Sequence, residues 1–94
     1  MTTKNGGADR VSTKAKQAGE LILLGRVLAR VREGRGLKQS EVAASLGLPA
    51  SHLSKIESGT RRIDVIELVR LAEAMRLDPA EIIRELQESL RTRV

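Results

Sequence analysis

The fold of this chain is decided by residues 37–59, LKQSEVAASLGLPASHLSKIESG. Their pattern predicts two short amphipathic helices with one glycine, Gly47, between them. The first covers residues 39–46, and the second runs from Pro49 to residues 58–59. Glycine commonly follows the last residue of a helix, and proline is favoured at the first helical position. The second helix carries small and basic residues on its outer face, which indicates a helix that approaches another surface closely.

Helical spacing of apolar residues predicts three further helices, over residues 20–33, over residues 65–75 and from Pro79 onward. Asp64 and Glu67 are the two ends of a predicted capping box before the second of these. The predicted apolar positions are Leu21, Leu24, Val27, Leu28, Val31, Leu37, Val42, Ala43, Leu46, Leu48, Leu53, Ile56, Ile66, Leu68, Val69, Leu71, Ala72, Met75, Ile82, Ile83, Leu86 and Leu90. The sequence therefore predicts an all-α fold, a compact five-helix bundle in which two helices meet at a sharp angle.

Composition limits the classes of function. The 94 residues suit one domain with a modest core. They include no Phe, Trp or Tyr, so the core must come from aliphatic side chains, which pack well between helices. They include no Cys and one His, which excludes a disulfide framework, a thiol nucleophile and a multi-histidine metal site. We therefore expect no cofactor and no metal, and no pair of ionisable residues suggests an enzyme.

Membrane and export signals are not expected either. The longest apolar run, residues 21–24, is far shorter than the roughly 20 residues that span a bilayer. Residues 1–20 contain no apolar stretch of the kind that a secretory signal requires. The sequence thus predicts a cytoplasmic protein without membrane contacts.

Charge is distributed unevenly along the chain. Residues 21–62 hold eight Lys or Arg against three Asp or Glu, whereas residues 63–94 hold five against seven. A basic front and a slightly acidic back favour a polyanion as partner for one face, although a solvated charged surface is an equally good interpretation. Residues 1–18 are polar and rich in glycine, and we interpret them as a flexible tail before a domain over 19–94. The alternative is a basic arm that orders on nucleic acid.

Many residues at fixed spacing resemble the Cro/repressor-type helix-turn-helix family, also called the xenobiotic-response-element family. The resemblance covers residues 24–83. It rests on Leu24-Gly25, Leu28, Arg32, Gly36-Leu37, Gln39, Glu41-Val42-Ala43, Leu46-Gly47-Leu48, Leu53-Ser54-Lys55-Ile56-Glu57, Gly59, Leu68 and Leu71-Ala72. It implies a lambda-repressor-like DNA-binding domain whose second helix of the pair, the recognition helix, lies in the major groove of double-stranded DNA.

The resemblance also implies roles for individual residues. Ala50, Ser51 and Lys55 match positions that face the bases. Arg32 and Glu57 match a partly buried structural pair between the first and third helices. The expected phosphate contacts are Lys38, Gln39, His52, Arg61 and Arg62, with smaller additions from Arg26, Arg30 and Arg35.

The chain departs from the family pattern at two helix starts. Lys38 and Pro49 stand where Ser or Thr usually caps the second and third helices, so the third helix is expected to lack a side-chain cap. Its outer face also has no Gln, Asn or Arg. Direct readout of bases by hydrogen bonds should therefore be modest, with a larger share for DNA shape.

The function implied is a sequence-specific, dimeric DNA-binding transcriptional regulator, with repression from a pseudo-palindromic operator as the first expectation. Ile83 and Leu90, seven residues apart on the last helix, are the predicted dimer contacts; the alternative is that this helix only completes the core. Two other functions stay open. One is an antitoxin that binds a small toxin protein and represses its own operon, and the other is the controller protein of a restriction–modification system.

Overall fold

A computed structural model describes residues 6–92 and the side chains of residues 17–92. The helices of this described part are α1 (Gly6–Gly34), α2 (Gln39–Ser45), α3 (Ala50–Ser58), α4 (Val65–Ala74) and α5 (Pro79–Thr92). α1 packs against α3 and α5, α2 packs against α3 and α4, and α4 packs against α5. The all-α, five-helix prediction is confirmed. No helix in the described range is long and apolar enough to cross a membrane.

The core is aliphatic, as the composition required, and draws on every helix. Its buried members are Val27, Leu28, Val42, Ala43, Leu53, Ile56, Leu68, Leu71, Ala72, Met75 and Ile82. The prediction that Ile66 widens the buried stripe of α4 is wrong, because this side chain is 62% exposed. Ile66 lies two residues before Leu68, which places it about 200° around the helix from that buried residue and on the outer face of α4.

The N-terminal boundary of α1 differs from the sequence prediction. The helix begins at Gly6 and not near Glu20, so the backbone of residues 6–18 is helical where a flexible tail was expected. Once packing has nucleated the helix, each added residue gains a hydrogen bond without a new nucleation cost, and Lys, Ala and Gln are good helix formers. Apolar periodicity, on which the prediction relied, does not register such an extension. Residues 1–5 lie outside the described range, and the domain boundary at residue 19 stays a prediction.

The starts of α3 and α4 agree with the expected capping, except that α3 begins one residue later than predicted. Asp64 Oδ1 accepts the backbone N–H of Glu67 at 2.7 Å, and Glu67 Oε1 accepts that of Asp64 at 3.1 Å, so the predicted capping box of α4 is confirmed. Pro49 is the N-cap of α3 and not its first helical residue, since its ψ of 149° is extended. It offers no side-chain cap to the helix, as expected. Its carbonyl accepts the N–H of His52 at 3.0 Å.

Gly25 allows α1 and α3 to approach closely. A Cβ at this position would collide with the carbonyl oxygen of Glu57 and would lie 2.8 Å from that of Ile56. Any side chain would therefore push the last turn of α3 away from α1. The glycine of the Leu24-Gly25 motif fixes the distance between these two helices.

A buried carboxylate joins three helices at the same end of α3. Glu57 accepts two hydrogen bonds from Arg32, from Nε at 2.6 Å and from Nη2 at 3.0 Å. It accepts a third from Gln39 Nε2 at 2.8 Å. Arg32 Nη1 donates to the carbonyl of Leu37 at 2.6 Å, so the loop between α1 and α2 is tied to the same group. The guanidinium and the carboxylate meet in the forked geometry that makes such pairs strong.

The charge of Arg32 is secured by this pairing. Its hydrogen bonds to Glu57 raise the pKa of the guanidinium above its usual value, although burial acts in the opposite direction. Arginine is protonated at any pH at which proteins fold, so the pair is not broken by loss of the arginine proton.

Arg35 binds the backbone at the end of α4, and Arg76, just after this end, has a positive φ angle. Arg35 donates from Nε to the carbonyl of Met75 at 3.1 Å and from Nη2 to that of Arg76 at 3.3 Å. These carbonyls follow the last turn of α4, which cannot bond them itself. Arg76 has a φ of 58°, the left-handed conformation in which glycine is preferred.

We expect Glu57→Gln to destabilise the fold strongly, because it removes the buried counter-ion of Arg32 and leaves only the exposed carboxylate of Glu33. The Glu57 side chain is 6% exposed. Removing one partner of such a pair costs about 3–5 kcal/mol, which in a domain of this size lowers the melting temperature by more than about 10 °C. Far-UV circular dichroism measures the transition. Glu33→Gln is the matched control, since Glu33 lies 3.7 Å from the same guanidinium but is 69% exposed; equal melting curves for the two variants would contradict the assignment.

We expect Arg76→Gly to stabilise the protein by about 0.5–1 kcal/mol. A side chain in the left-handed region costs about 1–2 kcal/mol, and part of this gain is offset by the greater freedom of glycine in the unfolded chain. Urea unfolding followed by circular dichroism measures the difference. Arg70→Gly, in the interior of α4, should instead destabilise the protein by about 1 kcal/mol. Destabilisation in both variants would show that the Arg76 side chain matters more than its backbone angle.

Candidate nucleic-acid interface

The connection between α2 and α3 sets the direction of α3. Leu46 ends α2, and Gly47 follows with a φ of 70°, as the motif predicted. The N–H of Leu48 reaches back to the carbonyl of Ala43 at 2.9 Å. No atom would meet a Cβ on Gly47, so glycine is required here by the backbone angle and not by space.

α3 has one buried and one open side. Leu53 and Ile56 anchor it in the core. The three residues predicted to face the bases, Ala50, Ser51 and Lys55, are all exposed. Lys55 forms no ion pair with a carboxylate of the described residues, so its ammonium group is available to a ligand. This outer face offers a methyl group, a hydroxyl and a cation on a helix whose inner face is fixed.

The start of α2 lies beside this face and carries Lys38 and Gln39. Lys38 is exposed, and its backbone N–H donates to Glu41 Oε1 at 2.8 Å, although no side chain at this N-cap accepts an N–H of the first turn. Gln39 donates one amide hydrogen to Glu57. Its second amide hydrogen and its oxygen remain for another partner. Gln39 therefore connects the buried ion pair to the surface.

The loop after α3 presents Arg61 and Arg62. It folds back on the helix, because the N–H groups of Thr60 and Arg61 both donate to the carbonyl of Lys55, at 3.0 and 3.2 Å. Both arginines are exposed. Arg62, however, lines a groove of about 390 Å³ between α1 and α5 together with Leu21 and Leu90. The two arginines thus have different surroundings, and the sequence alone did not distinguish between them.

Other basic residues of the front half have partners within the protein. Arg30 pairs with Glu85 of α5 at 2.8 Å, and Arg35 binds the carbonyls after α4. These contacts direct the two side chains towards α5 and α4, and the expectation that they add to a phosphate-binding face stays a prediction. The exposed basic residues of the front half that form neither an ion pair nor a side-chain hydrogen bond with the described residues are Arg26, Lys38, Lys55, Arg61 and Arg62.

His52 is also turned inward. It lies in the first turn of α3 with its side chain only 15% exposed, and Nε2 is 3.5 Å from Glu67 Oε2 of α4. The sequence placed it among the phosphate contacts because of its position, and no periodicity could have indicated that α4 brings a carboxylate to it. The role of each of these residues towards DNA stays a prediction.

The exposed apolar side chains at the start of α4 were the feature that sequence reasoning missed most clearly. Among the described residues, the large exposed apolar side chains are Ile22, Val65, Ile66 and Ile83, of which the sequence had singled out Ile83 as a dimer contact. Val65 and Ile66 open α4 directly after the arginine loop. Of the two predicted dimer contacts, Ile83 is 47% exposed, whereas Leu90 is half-buried in the groove beside α1.

No three His, Asp or Glu side chains of the described range come close enough together to hold a metal ion. Two further depressions lie elsewhere on the described part of the protein. One of about 490 Å³ lies between α1 and α5 around the Arg30–Glu85 pair, and another lies beside Arg35 and Arg76. The features that converge on one face are therefore those of α2, α3 and the loop that follows.

Comparisons with known proteins agree with this geometry. A helix-turn-helix family model matches residues 28–82. An uncharacterized HTH-type transcriptional regulator of Sinorhizobium fredii, y4dJ, is 37% identical over 67 residues, which are 71% of this chain and 87% of that protein.

Two solved structures are similar in fold and sequence. An XRE-family like protein from Pseudomonas syringae pv. tomato is 34% identical, with a TM-score of 0.72 over 82% of this chain and 94% of that one. The restriction-modification controller protein C.AhdI from Aeromonas hydrophila is 30% identical, with a TM-score of 0.64 over 68% of this chain and 97% of that one. The chain therefore belongs to the Cro/repressor-type, or XRE, family of helix-turn-helix proteins and is a DNA-binding transcriptional regulator.

Proposed function

We propose that this protein is a homodimeric repressor that recognises a pseudo-palindromic operator through the outer face of α3. The observation that carries the proposal is the contrast within α3. Its inner side is fixed by Leu53, Ile56 and the Glu57 network, whereas Ala50, Ser51 and Lys55 are exposed. A recognition helix needs such a rigid base and a small outer face, because bulky side chains would keep it away from the base edges.

The chemistry of this face fits the major groove. Lys55 can donate to O6 or N7 of guanine, the Ser51 hydroxyl can donate or accept, and the Ala50 methyl can contact the methyl group of thymine. Ser51 and Lys55 are four residues apart, so they lie on one side of the helix. Few bidentate contacts are possible, so the shape and flexibility of the operator supply part of the specificity.

Phosphate contacts are assigned to the two flanks of α3. Lys38 and the free amide hydrogen of Gln39 lie at the start of α2, and Arg61 lies in the loop after α3. Contacts of this kind hold the protein in register but carry little sequence information. Arg62 and His52 receive a smaller part, since one lines the groove beside α5 and the other faces Glu67.

Dimerisation is assigned to the exposed apolar residues of α4 and α5. One module makes few base contacts, and two copies on adjacent half-sites, about 34 Å apart, reach useful specificity. Val65, Ile66 and Ile83 are large apolar side chains that the single chain leaves in solvent. Ile83 is the better candidate of the two predicted contacts, because Leu90 already lies against α1.

A second candidate is the controller protein of a restriction–modification system, favoured by the likeness to C.AhdI. A controller protein would use the same DNA-binding face. This function predicts that genes for a restriction endonuclease and a methyltransferase lie beside the gene of this protein. The antitoxin alternative predicts instead that a small toxin protein co-purifies with the chain.

The function is tested by selecting binding sites from a random duplex library and by footprinting the region upstream of the gene. Both should give one pseudo-palindromic sequence, and the protein should reduce transcription from a promoter that contains it. Enrichment of no sequence would contradict operator recognition. Increased transcription would support operator binding but would show that the protein is an activator and not a repressor.

We expect Lys55→Ala to relax base preference at one or two positions of each half-site, by about 1–3 kcal/mol, because the variant has no charged donor for a base edge. The measurement is a binding titration against the selected duplex and its single-base variants. If affinity for all these duplexes falls equally, Lys55 binds a phosphate and the base assignment is wrong.

Arg61→Ala serves as the contrasting variant. It should weaken every duplex about equally, and it should reduce the slope of log Kd against log salt by about 0.9 for each phosphate that the arginine neutralises. The titrations are repeated at several salt concentrations. If the variant changes the order of preference among the duplexes, Arg61 contacts a base and not a phosphate.

We expect Ile83→Asp to abolish the dimer and to weaken operator binding while the fold is retained, because a charge enters an apolar contact on the surface. Light scattering measures the mass, and circular dichroism checks the helices. Ile22→Asp on α1 is the control, since Ile22 is exposed to a similar degree, 40% against 47%. A wild-type monomer both free and on DNA would contradict dimerisation.

A further inference from the structure

The middle of α3 carries a serine to which the family resemblance gives no role towards DNA. Ser54 is the fifth of the nine residues of this helix, and it is exposed. Successive residues of an α-helix are about 100° apart around its axis. The core residues Leu53 and Ile56 define the buried side of α3, so the line opposite to their midpoint points straight out of the protein.

Ser54 lies close to this outward line. It is about 50° from the line on one side, and Lys55 is about 50° from it on the other. Ser51 lies within about 10° of the line, whereas Ala50, at the start of the helix, lies about 90° away. Ser54 thus faces outward as directly as Lys55 and more directly than Ala50. A duplex that covers Ser51 and Lys55 therefore also lies against Ser54.

The hydroxyl group of Ser54 is not used within the described part of the protein. Serines inside helices commonly donate to a carbonyl three or four residues earlier. Ser45 donates in this way to the carbonyl of Val42 at 2.8 Å. Ser58 donates to that of Lys55 at 3.1 Å. Ser54 forms no such bond with the described residues, so its hydroxyl keeps one donor and two acceptor sites for a ligand.

The choice of serine at this position costs the helix stability. Serine is a poorer helix former than alanine, and an exposed side chain in the interior of a helix gains little from packing. Sequences depart from such local preferences mainly at functional sites. An exposed serine without an internal hydrogen bond, in the middle of the recognition helix, is a departure of this kind.

We infer that Ser54 is a further specificity-determining residue, whose hydroxyl bonds a base edge in the major groove on the side of α3 away from Lys55. The inference rests on the proposed function, since it requires the outer face of α3 to lie in the groove. A serine hydroxyl can donate to a base edge or accept from one. A base is favoured over a phosphate, because the side chain is short and lies near the outward line that Ser51 follows.

Ser54→Ala removes the hydroxyl and improves helix propensity, so binding and stability should change in opposite directions. The probe is the duplex selected from the random library, together with its single-base variants. We expect discrimination at one base position of each half-site to fall by about two- to tenfold, the range of a single hydrogen bond. The melting temperature, measured by circular dichroism, should rise by about 2 °C.

Ser89→Ala is the matched control. Ser89 lies on α5 beside Arg30, and its hydroxyl also forms no hydrogen bond with the described residues. This variant should gain helix stability as well, but it should keep the base preferences of the wild type.

Ser54→Asn tests the same contact by a gain of preference. An asparagine side chain can bond N6 and N7 of adenine together. This variant should therefore shift preference towards adenine at the position that Ser54→Ala relaxes.

Three results overturn the inference. They are unchanged base preferences in Ser54→Ala, an equal loss of affinity for all duplexes in that variant, which would assign Ser54 to a phosphate, and no adenine preference at the relaxed position in Ser54→Asn. In each case the wild type still selects one operator, so the proposed function stands. A wild type that enriches no sequence would instead remove the proposed function, and the inference with it.

Discussion

The carboxylate of Glu57 is the group on which the geometry of this protein depends. It receives hydrogen bonds from α1 and from α2 while it belongs to α3, and the guanidinium that binds it also holds the loop between the first two helices. In a protein with no aromatic side chain, the core is small and is built from aliphatic groups whose packing is not directional. A buried ion pair with two parallel hydrogen bonds fixes the relative orientation of the helices in such a core, because its hydrogen bonds require a defined geometry.

The sequence predicted the framework of the fold well, since the framework follows from local rules. Apolar spacing gave the buried faces, and Asp64, Pro79 and Gly47 gave helix ends whose chemistry acts within a few residues. Two local predictions were wrong or displaced. Ile66 lies two residues before Leu68, about 200° around the helix from it, so it is on the outer face of α4, and α1 continues to Gly6 through residues without apolar periodicity. Strict application of the helical period would have excluded Ile66 from the core, whereas the extension of α1 is not registered by apolar spacing.

The candidate site was predictable by position but not by environment. Ala50, Ser51 and Lys55 are open because α3 faces outward, and the family motif implies that orientation. The surroundings of the arginines were harder to predict, because their long side chains bind partners that are distant in the sequence. Arg30 finds Glu85, and Arg35 finds the end of α4. Part of the positive charge of the front half is therefore bound within the protein, whereas Lys38, Lys55 and Arg61 are exposed and form no ion pair among the described residues.

The close contact at Gly25 has a mechanical consequence for α3. The carbonyls of Ile56 and Glu57 rest on a glycine at the end of the helix, and the ion pair holds the same end. The opposite end begins at a proline without a side-chain cap and carries Ala50 and Ser51. The helix is thus held most firmly at its C-terminal end, although the turn after α2 and the buried Leu53 also constrain its start, so a slight tilt displaces Ala50 and Ser51 more than Glu57. In the proposed dimer, such a tilt would allow each protomer to adjust to its own half-site without repacking the core.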